Sequence, residues 1–241
     1  MRTGLFIQAR SGSTRYPGKI FQGLPEQGAP SVIEHIYSRL KNIRGVDVCS
    51  VLVPENDARL IEFLMKKNIP CFTGSEDDVR QRYRDAAVYY DTDIVVRATG
   101  DNPCVDPVIA ADTLDMISRR TGLDLFSFYN LPLGVAVEAF RRKALLDDSA
   151  NPLPEYKEHV SLHIKKNPKN FRILHADHPL PFHHSENLPR LTLDTAEDLE
   201  VIRNVFRRLG SEFLTADVLR LHKQEPELFM ENSHVIQKIF V

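Results

Sequence analysis

The stretch Gly4–Lys19, GLFIQARSGSTRYPGK, runs from a short apolar segment straight into a basic loop. Gly4–Gln8 has the length of a buried strand. The loop Gln8–Lys19 then carries Arg10, Arg15 and Lys19 together with the hydroxyls of Ser11, Ser13 and Thr14. Gly12 and Gly18 stand where the backbone is expected to need dihedrals that side chains disfavour. Three cations and several donors in one short loop suit a polyphosphate, since charge-assisted hydrogen bonds neutralise it and backbone N–H groups cradle it. The loop is not a P-loop: five residues separate Gly12 from Gly18 instead of four, and Ile20 stands at the Mg2+-binding Ser/Thr position. A GxGxxG dinucleotide motif is absent as well. The plain alternative is a solvated basic surface loop, and the position after a first strand weighs against it.

Working outward, further apolar runs at Val46–Val53, Pro70–Phe72 and Ile94–Val96 alternate with helical spacing in Ser31–Ile43, Asp57–Lys66 and Val79–Tyr90. Strand and helix in this order predict an α/β fold, a mostly parallel sheet with helices on both faces. Ligands of such sheets bind beyond the carboxyl ends of the strands, which puts the Gln8–Lys19 and Thr99–Pro107 loops on one edge. Further on, strands are expected at Leu125–Tyr129, Gly134–Phe140, Phe171–Ala176 and Arg190–Leu193. Helices are expected at Tyr156–Lys166, Thr195–Leu209 and Thr215–His222, with a loop at His175–Asn187.

Composition fits one α/β domain spanning 1–241. A chain of this length buries roughly 70–75% of its unfolded surface and needs no staple. A net charge of −2 argues against nucleic acid as the main partner. Cys49, Cys71 and Cys104 show no CxxC spacing and read as reduced, mostly buried thiols of a cytoplasmic protein. No apolar run reaches the length of a membrane span, and the first residues are too short an apolar run for a signal peptide. His175, His178, His183 and His184 invite a zinc reading, but their spacing is not that of a closed tetrahedral site.

Two aspartates stand at expected strand ends. Asp101 follows Gly100 in Arg97-Ala98-Thr99-Gly100-Asp101, the glycine allowing close backbone approach to a ligand, and Asp194 ends Arg190-Leu191-Thr192-Leu193-Asp194. Mg2+ is held by one or two carboxylates plus substrate phosphates, so the pair opposite a basic loop suits nucleotidyl or phosphoryl transfer. Spacing alone favours Asp194 as a helix N-cap, with Glu197 or Asp198 serving the first turn, and also allows Asp101 to be a turn residue before Pro103. Glu76, Asp77 and Asp78 read as an acidic first helical turn capped by Ser75. Arg80, Arg82 and Arg84 alternate on that helix and cannot all face one ligand.

QARSGSTRYPGK followed by SVIEHIYSRL resembles the N-terminal hallmark of the cytidylyltransferases that activate acidic sugars. The chain as a whole resembles the spore-coat polysaccharide biosynthesis protein F-like branch. The supporting blocks are FTGSEDDVRQRY (Phe72–Tyr83), VRATGDNPCVDP (Val96–Pro107), LGVAVEAF (Leu133–Phe140), KEHVSLHIKKNPKNFRI (Lys157–Ile173), LTLDTAEDLEVI (Leu191–Ile202) and the tail Phe213–Asn232. The resemblance implies a Rossmann-like three-layer α/β/α nucleotidyltransferase domain with a mostly parallel mixed sheet. It also implies CTP and Mg2+ as ligands, CMP transfer to a small acceptor with release of pyrophosphate, and a homodimer.

Carried onto this chain, the resemblance makes Arg10, Arg15 and Lys19 the triphosphate-binding cations, with Ser11, Gly12 and Ser13 in the same loop. Asp101 and Asp194 become the metal-binding carboxylates, which outweighs the capping reading of Asp194. The backbone of Gln8 and Ala9 and the segment Thr99–Gly100 line the cytosine pocket. Arg82 is a further nucleotide candidate, and Asn130, Glu138 and His159 are candidates for the acceptor. Two departures fall in the acceptor half: Ala136 replaces an acidic residue between Gly134 and Glu138, and Lys157 replaces an arginine before Glu158-His159-Val160. A nucleotide-sugar glycosyltransferase and an inactive nucleotide-binding protein are the alternatives.

Overall fold

The computed structural model describes residues 1–149, 153–179 and 188–236. Strand β1 (Thr3–Gln8) lies in the middle of the sheet because it is apolar along almost its whole length and pairs on both edges. It runs parallel to β2 (Val48–Pro54) on one side and to β4 (Ile94–Thr99) on the other. β3 (Cys71–Gly74) extends the sheet beyond β2. On the far side of β4 lie β6 (Glu138–Arg141), β5 (Leu125–Tyr129) and β7 (Ile173–Asp177), in the order β3-β2-β1-β4-β6-β5-β7. Only β6 runs against its neighbours, so the sheet is mixed and mostly parallel, as expected.

Alternation along the strands splits the core. Leu5, Ile7, Val96 and Phe126 face α1 (Val32–Leu40), α2 (Ala58–Lys66), α4 (Pro107–Arg119), α8 (Ala196–Leu209) and α9 (Thr215–Gln224). Phe6, Val95, Leu125 and Phe140 face α3 (Val79–Tyr89), α5 (Arg142–Leu146) and the segment carrying α6 (Glu155–Glu158) and α7 (Leu162–Lys165). Helices therefore cover both faces, giving three layers. Among the described residues no helix is long and apolar enough to cross a membrane. Cys104 is buried and Cys49 half-buried, and burial pushes both thiols up to about 12.

Several local expectations change. Helix α4 lies outside the periodic segments named above, although Asp106-Pro107 is a cap followed by an N1 proline: Asp106 Oδ1 accepts from the N–H groups of Val108 and Ile109. The expected helix Tyr156–Lys166 breaks into α6 and α7, with His159 in extended backbone between them. Gly134–Phe140 is a strand only from Glu138, and Arg190–Leu193 makes a single bridge, Arg190 to Leu133. The N-cap of α3 is Asp78, with Ser75 Oγ accepting from the Asp78 N–H one turn earlier. The N-cap of α8 is Thr195 in a reciprocal box with Asp198, so Asp194 itself is not spent on capping.

Two glycines explain how distant loops meet at the carboxyl edge. Gly100 donates to Gln8 O at 2.8 Å, and a Cβ there would lie 2.9 Å from Ala9 Cβ. The close approach at Gly100 is thus to the end of β1, not only to a ligand. Gly134 has φ +104, and a Cβ on it would lie 2.5 Å from the carbonyl carbon of Leu191. Leu191 N donates to Leu133 O, and Leu193 N to Asp101 O at 2.7 Å, which seats the segment before Asp194 beside Asp101. Gly134→Ala is expected to lower unfolding free energy by at least about 1–3 kcal/mol, measured by denaturant titration, through left-handed strain and the clash with residue 191.

Candidate active site

The basic loop is anchored from below by a residue that sequence reasoning missed. Asp57 caps α2 and also accepts from Ser11, through its backbone N–H at 2.6 Å and its hydroxyl at 2.8 Å. Gly18 N then closes the loop onto Ser11 O at 3.0 Å. Gly18 has the left-handed backbone foreseen for it (φ +70), whereas Gly12 does not. Ser13 is half-buried, its N–H donating back to Ser11 O.

This geometry swings Lys19 inward. Its ammonium is nearly buried and donates to Leu193 O at 2.5 Å and Asp194 Oδ1 at 3.0 Å, and lies 3.4 Å from Asp101 Oδ2. Arg15 also reaches Asp194 Oδ1, at 2.8 Å. Three of the five residues expected to be catalytic, Lys19, Asp101 and Asp194, therefore meet at one point, with Arg15 as a fourth. Arg10 is exposed on the same loop and makes no ion pair or hydrogen bond with the described residues. Its charge is felt by Arg82, which lies close enough to be disfavoured by it.

Burial alone would raise the pKa of Asp194. The charges of Lys19, Arg15 and Arg190 overcome that and hold the carboxyl below its ordinary range. Asp101 is more open and is steadied by Thr99 Oγ1, which donates to its Oδ1 at 2.6 Å. Two carboxylates turned toward one buried cation are a hard-oxygen donor set of the kind Mg2+ uses, and the Lys19 nitrogen already marks a place where positive charge is stable. Among the described residues no three His, Cys, Asp or Glu side chains come together as metal ligands. His175 bonds Ser127 and His178 bonds Asp112, while His183 and His184 lie outside the described residues.

Arg82 is buried with its guanidinium donating to the carbonyls of Ser75, at 2.9 and 2.5 Å, and Glu76, so its described bonds organise the turn before α3. Arg80 and Arg84 turn away to Asp148, in keeping with their alternation. Gln8 and Thr99 are paired at the ends of β1 and β4, which brings the expected base-binding segments together.

Beside them a polar row crosses four strands. Arg97 of β4 is opposite Glu138 of β6, Glu138 opposite Ser127 of β5, and Ser127 opposite His175 of β7. Arg97 donates to Gln8 Oε1 at 3.0 Å and to Glu138 at 3.2 Å, and Ser161 and Lys165 also donate to Glu138. Burial pushes the Glu138 carboxyl up, but Lys165 and Arg97 prevail and bring it down to about 2. Glu138 thus joins the α7 segment through Ser161 and Lys165, and His159 follows the last residue of α6. Asn130, with φ 55, donates to Asp177 at 2.5 Å on the outer part of the sheet. The arginine inside the apolar strand Ile94–Thr99 was the available signal for this row.

A mixed α/β sheet with a basic loop and two carboxylates at one strand-end edge is the architecture of Rossmann-like nucleotidyltransferases. A family model described as cytidylyltransferase matches residues 5–234, and the chain belongs to that family. It is 30% identical over 232 residues to the spore coat polysaccharide biosynthesis protein SpsF of Bacillus subtilis, covering 93% of this chain and 95% of that one. Identity to a 3-deoxy-manno-octulosonate cytidylyltransferase of Trichlorobacter lovleyi is 26% over 256 residues, with 93% and 98% covered. A solved cytidylyltransferase of Leptospira borgpetersenii superposes with a TM-score of 0.85 at 32% identity, each chain covered fully. The family that the sequence motifs implied is therefore the family to which the chain belongs.

The depressed pKa of Glu138 has a pH signature. Its ionised form stabilises the fold above the unfolded value near 4.5, and the contribution disappears as pH falls toward 2. Glu138→Gln should be less stable than the unmodified chain at pH 7, by no more than about 3 kcal/mol. That gap should close between pH 4.5 and 2, as read from urea titrations at several pH values.

Proposed function

We propose that this chain transfers CMP from CTP to a small acceptor, an acidic sugar or a related molecule, in an Mg2+-dependent reaction that releases pyrophosphate. The observation that carries the reading is the convergence of Lys19 on Asp101 and Asp194, 3.4 and 3.0 Å from its ammonium. Two carboxylates and a loop of three cations meeting at one point support a metal–triphosphate complex as the ligand. Membership of the cytidylyltransferase family supports CTP as the donor. Relatives named for spore-coat polysaccharide synthesis and for an octulosonate support a carbohydrate acceptor.

In this mechanism Asp101 and Asp194 would hold Mg2+, whose charge would offset that of the phosphate oxygens. Arg10, Arg15 and Lys19 take the triphosphate, and as the acceptor oxygen bonds to the α-phosphorus they stabilise the pyrophosphate leaving in line. Ser11 and Ser13 set the loop backbone against the phosphates, and Gln8, Ala9, Thr99 and Gly100 form the base side. Arg82 supports the wall near Arg10 from the protein interior. The acceptor lies toward Glu138, Asn130 and His159. A carboxylate held near pKa 2 is too weak a base for proton abstraction at neutral pH. Glu138 therefore orients the acceptor by accepting its hydroxyls, and the acceptor proton leaves to solvent.

A pyrophosphate-release assay with each of the four NTPs across acidic sugars and phosphonates tests the reading. Release should require CTP, Mg2+ and acceptor together. Sugar transfer from a nucleotide sugar without pyrophosphate would instead indicate a glycosyltransferase, and no turnover with any pair an inactive binder. Asp101→Asn should cut kcat at least about a hundredfold. Lys19→Ala should raise the KM for CTP about 10- to 100-fold, the worth of a charge-assisted hydrogen bond. Full Mg2+-dependent release by Asp101→Asn would sink the assignment.

A further inference from the structure

Behind Asp194 stands a buried network that no phosphate or acceptor role explains. The two oxygens of Asp194 have different partners: Oδ1 receives Lys19 and Arg15, while Oδ2 receives Arg190 Nη2 at 2.8 Å. Arg190 is in turn fixed by Asp198, its Nε donating to Oδ1 at 2.9 Å. Asp198 is fully buried and accepts as well from the N–H groups of Asp194, at 2.8 Å, and Thr195, at 3.0 Å. The last donor comes from the far end of the chain. Asn232, 2% exposed, gives its amide to Asp198 Oδ1 at 2.9 Å and to Arg190 O at 3.1 Å.

A helix cap needs only Thr195 and Asp198, so Arg190 and Asn232 exceed what capping requires. The planar fork of Arg190 spans two carboxylates, and Asn232 fills the position that keeps Asp198, and through it the fork, in one orientation. With Oδ2 so engaged, the Asp194 carboxylate cannot rotate, and Oδ1 alone is presented to the cation position. We propose that Arg190, Asp198 and Asn232 are positioning residues that set Asp194 as a one-oxygen ligand of the catalytic metal. The C-terminal segment carrying Asn232 is by this account part of the active-site support. The inference rests on reading Asp194 as a metal ligand.

The test measures Mn2+ binding by electron paramagnetic resonance, with the α,β-methylene analogue of CTP bound to the full chain, alongside kcat and thermal melting. Asn232→Leu should weaken Mn2+ binding about tenfold or more, the usual effect of losing a group that orients a metal ligand. Arg190→Lys, which keeps the charge and loses the fork, should do the same. Binding of the analogue without metal should not change. Leu228→Ala is the control, because Leu228 packs the same segment against the core without joining the network. It should lower the melting temperature and leave Mn2+ affinity alone. Unchanged Mn2+ affinity in Asn232→Leu, or an equal loss in Leu228→Ala, would overturn the positioning role. Asp194→Asn separates the two levels: loss of Mn2+ there beside normal affinity in Asn232→Leu overturns only the inference, whereas normal Mn2+ affinity in Asp194→Asn removes the metal-ligand reading beneath it.

Discussion

Two carboxylates turned toward one another in a partly desolvated edge repel, and the site depends on how that repulsion is met. Here the ammonium of Lys19 stands between Asp101 and Asp194, with Arg15 and Arg190 completing the charge around the second. Leaving a buried carboxylate without its partners costs several kcal/mol, more than any single loop contact contributes. The loop, the two strand ends and the segment before α8 are consequently held in register by one electrostatic requirement. The same requirement makes this the point of the strand-end edge where positive charge is held between two carboxylates.

The sheet brings these groups together without long side-chain reach. Gln8 and Thr99 are register partners at the ends of β1 and β4, so the residues after them start side by side. Gly100 lets the second loop lie against the first, and Leu193 N bonded to Asp101 O carries Asp194 to the same edge. Farther along, the register continues as the row Arg97, Glu138, Ser127 and His175, whose charges are balanced within the protein. The paired ends Gln8 and Thr99 and this polar row are therefore neighbours on the sheet, and Ala136 lies two residues before Glu138.

Much of this was legible before any coordinates. Apolar runs and helical spacing marked β1, β2, β4 and β5 and helices α1, α2, α3 and α8, because each buries a face whose period survives in the sequence. The clustering of Arg15 and Lys19 in one loop and the place of Asp101 after a strand were legible from residue type and position, whereas the spacing around Asp194 favoured a helix cap and only the family resemblance drew it to the same point. What was not legible depends on distant partners. Asp57 holds Ser11 across 46 positions and Asn232 holds Asp198 across 34, and no local pattern encodes either bond. The segment Arg190–Leu193 has strand composition but spends its backbone on single contacts to Leu133 and Asp101. The break between α6 and α7 is hidden by a helical pattern that continues through His159. Helix α4 was signalled by Asp106-Pro107 yet masked by its place at the end of a loop.

The central claim is that the basic loop and the two aspartates form one metal–triphosphate site. The most direct measurement is a crystal structure of the full chain with the α,β-methylene analogue of CTP and Mn2+, the metal located by its anomalous signal. The account predicts an anomalous peak bounded by Asp101 and Asp194, the triphosphate against Arg10, Arg15 and Lys19, and the Lys19 ammonium moved from the carboxylates to phosphate oxygen. A nucleotide bound elsewhere, or a triphosphate in the loop with Lys19 still bridging the aspartates and no metal beside them, would contradict it.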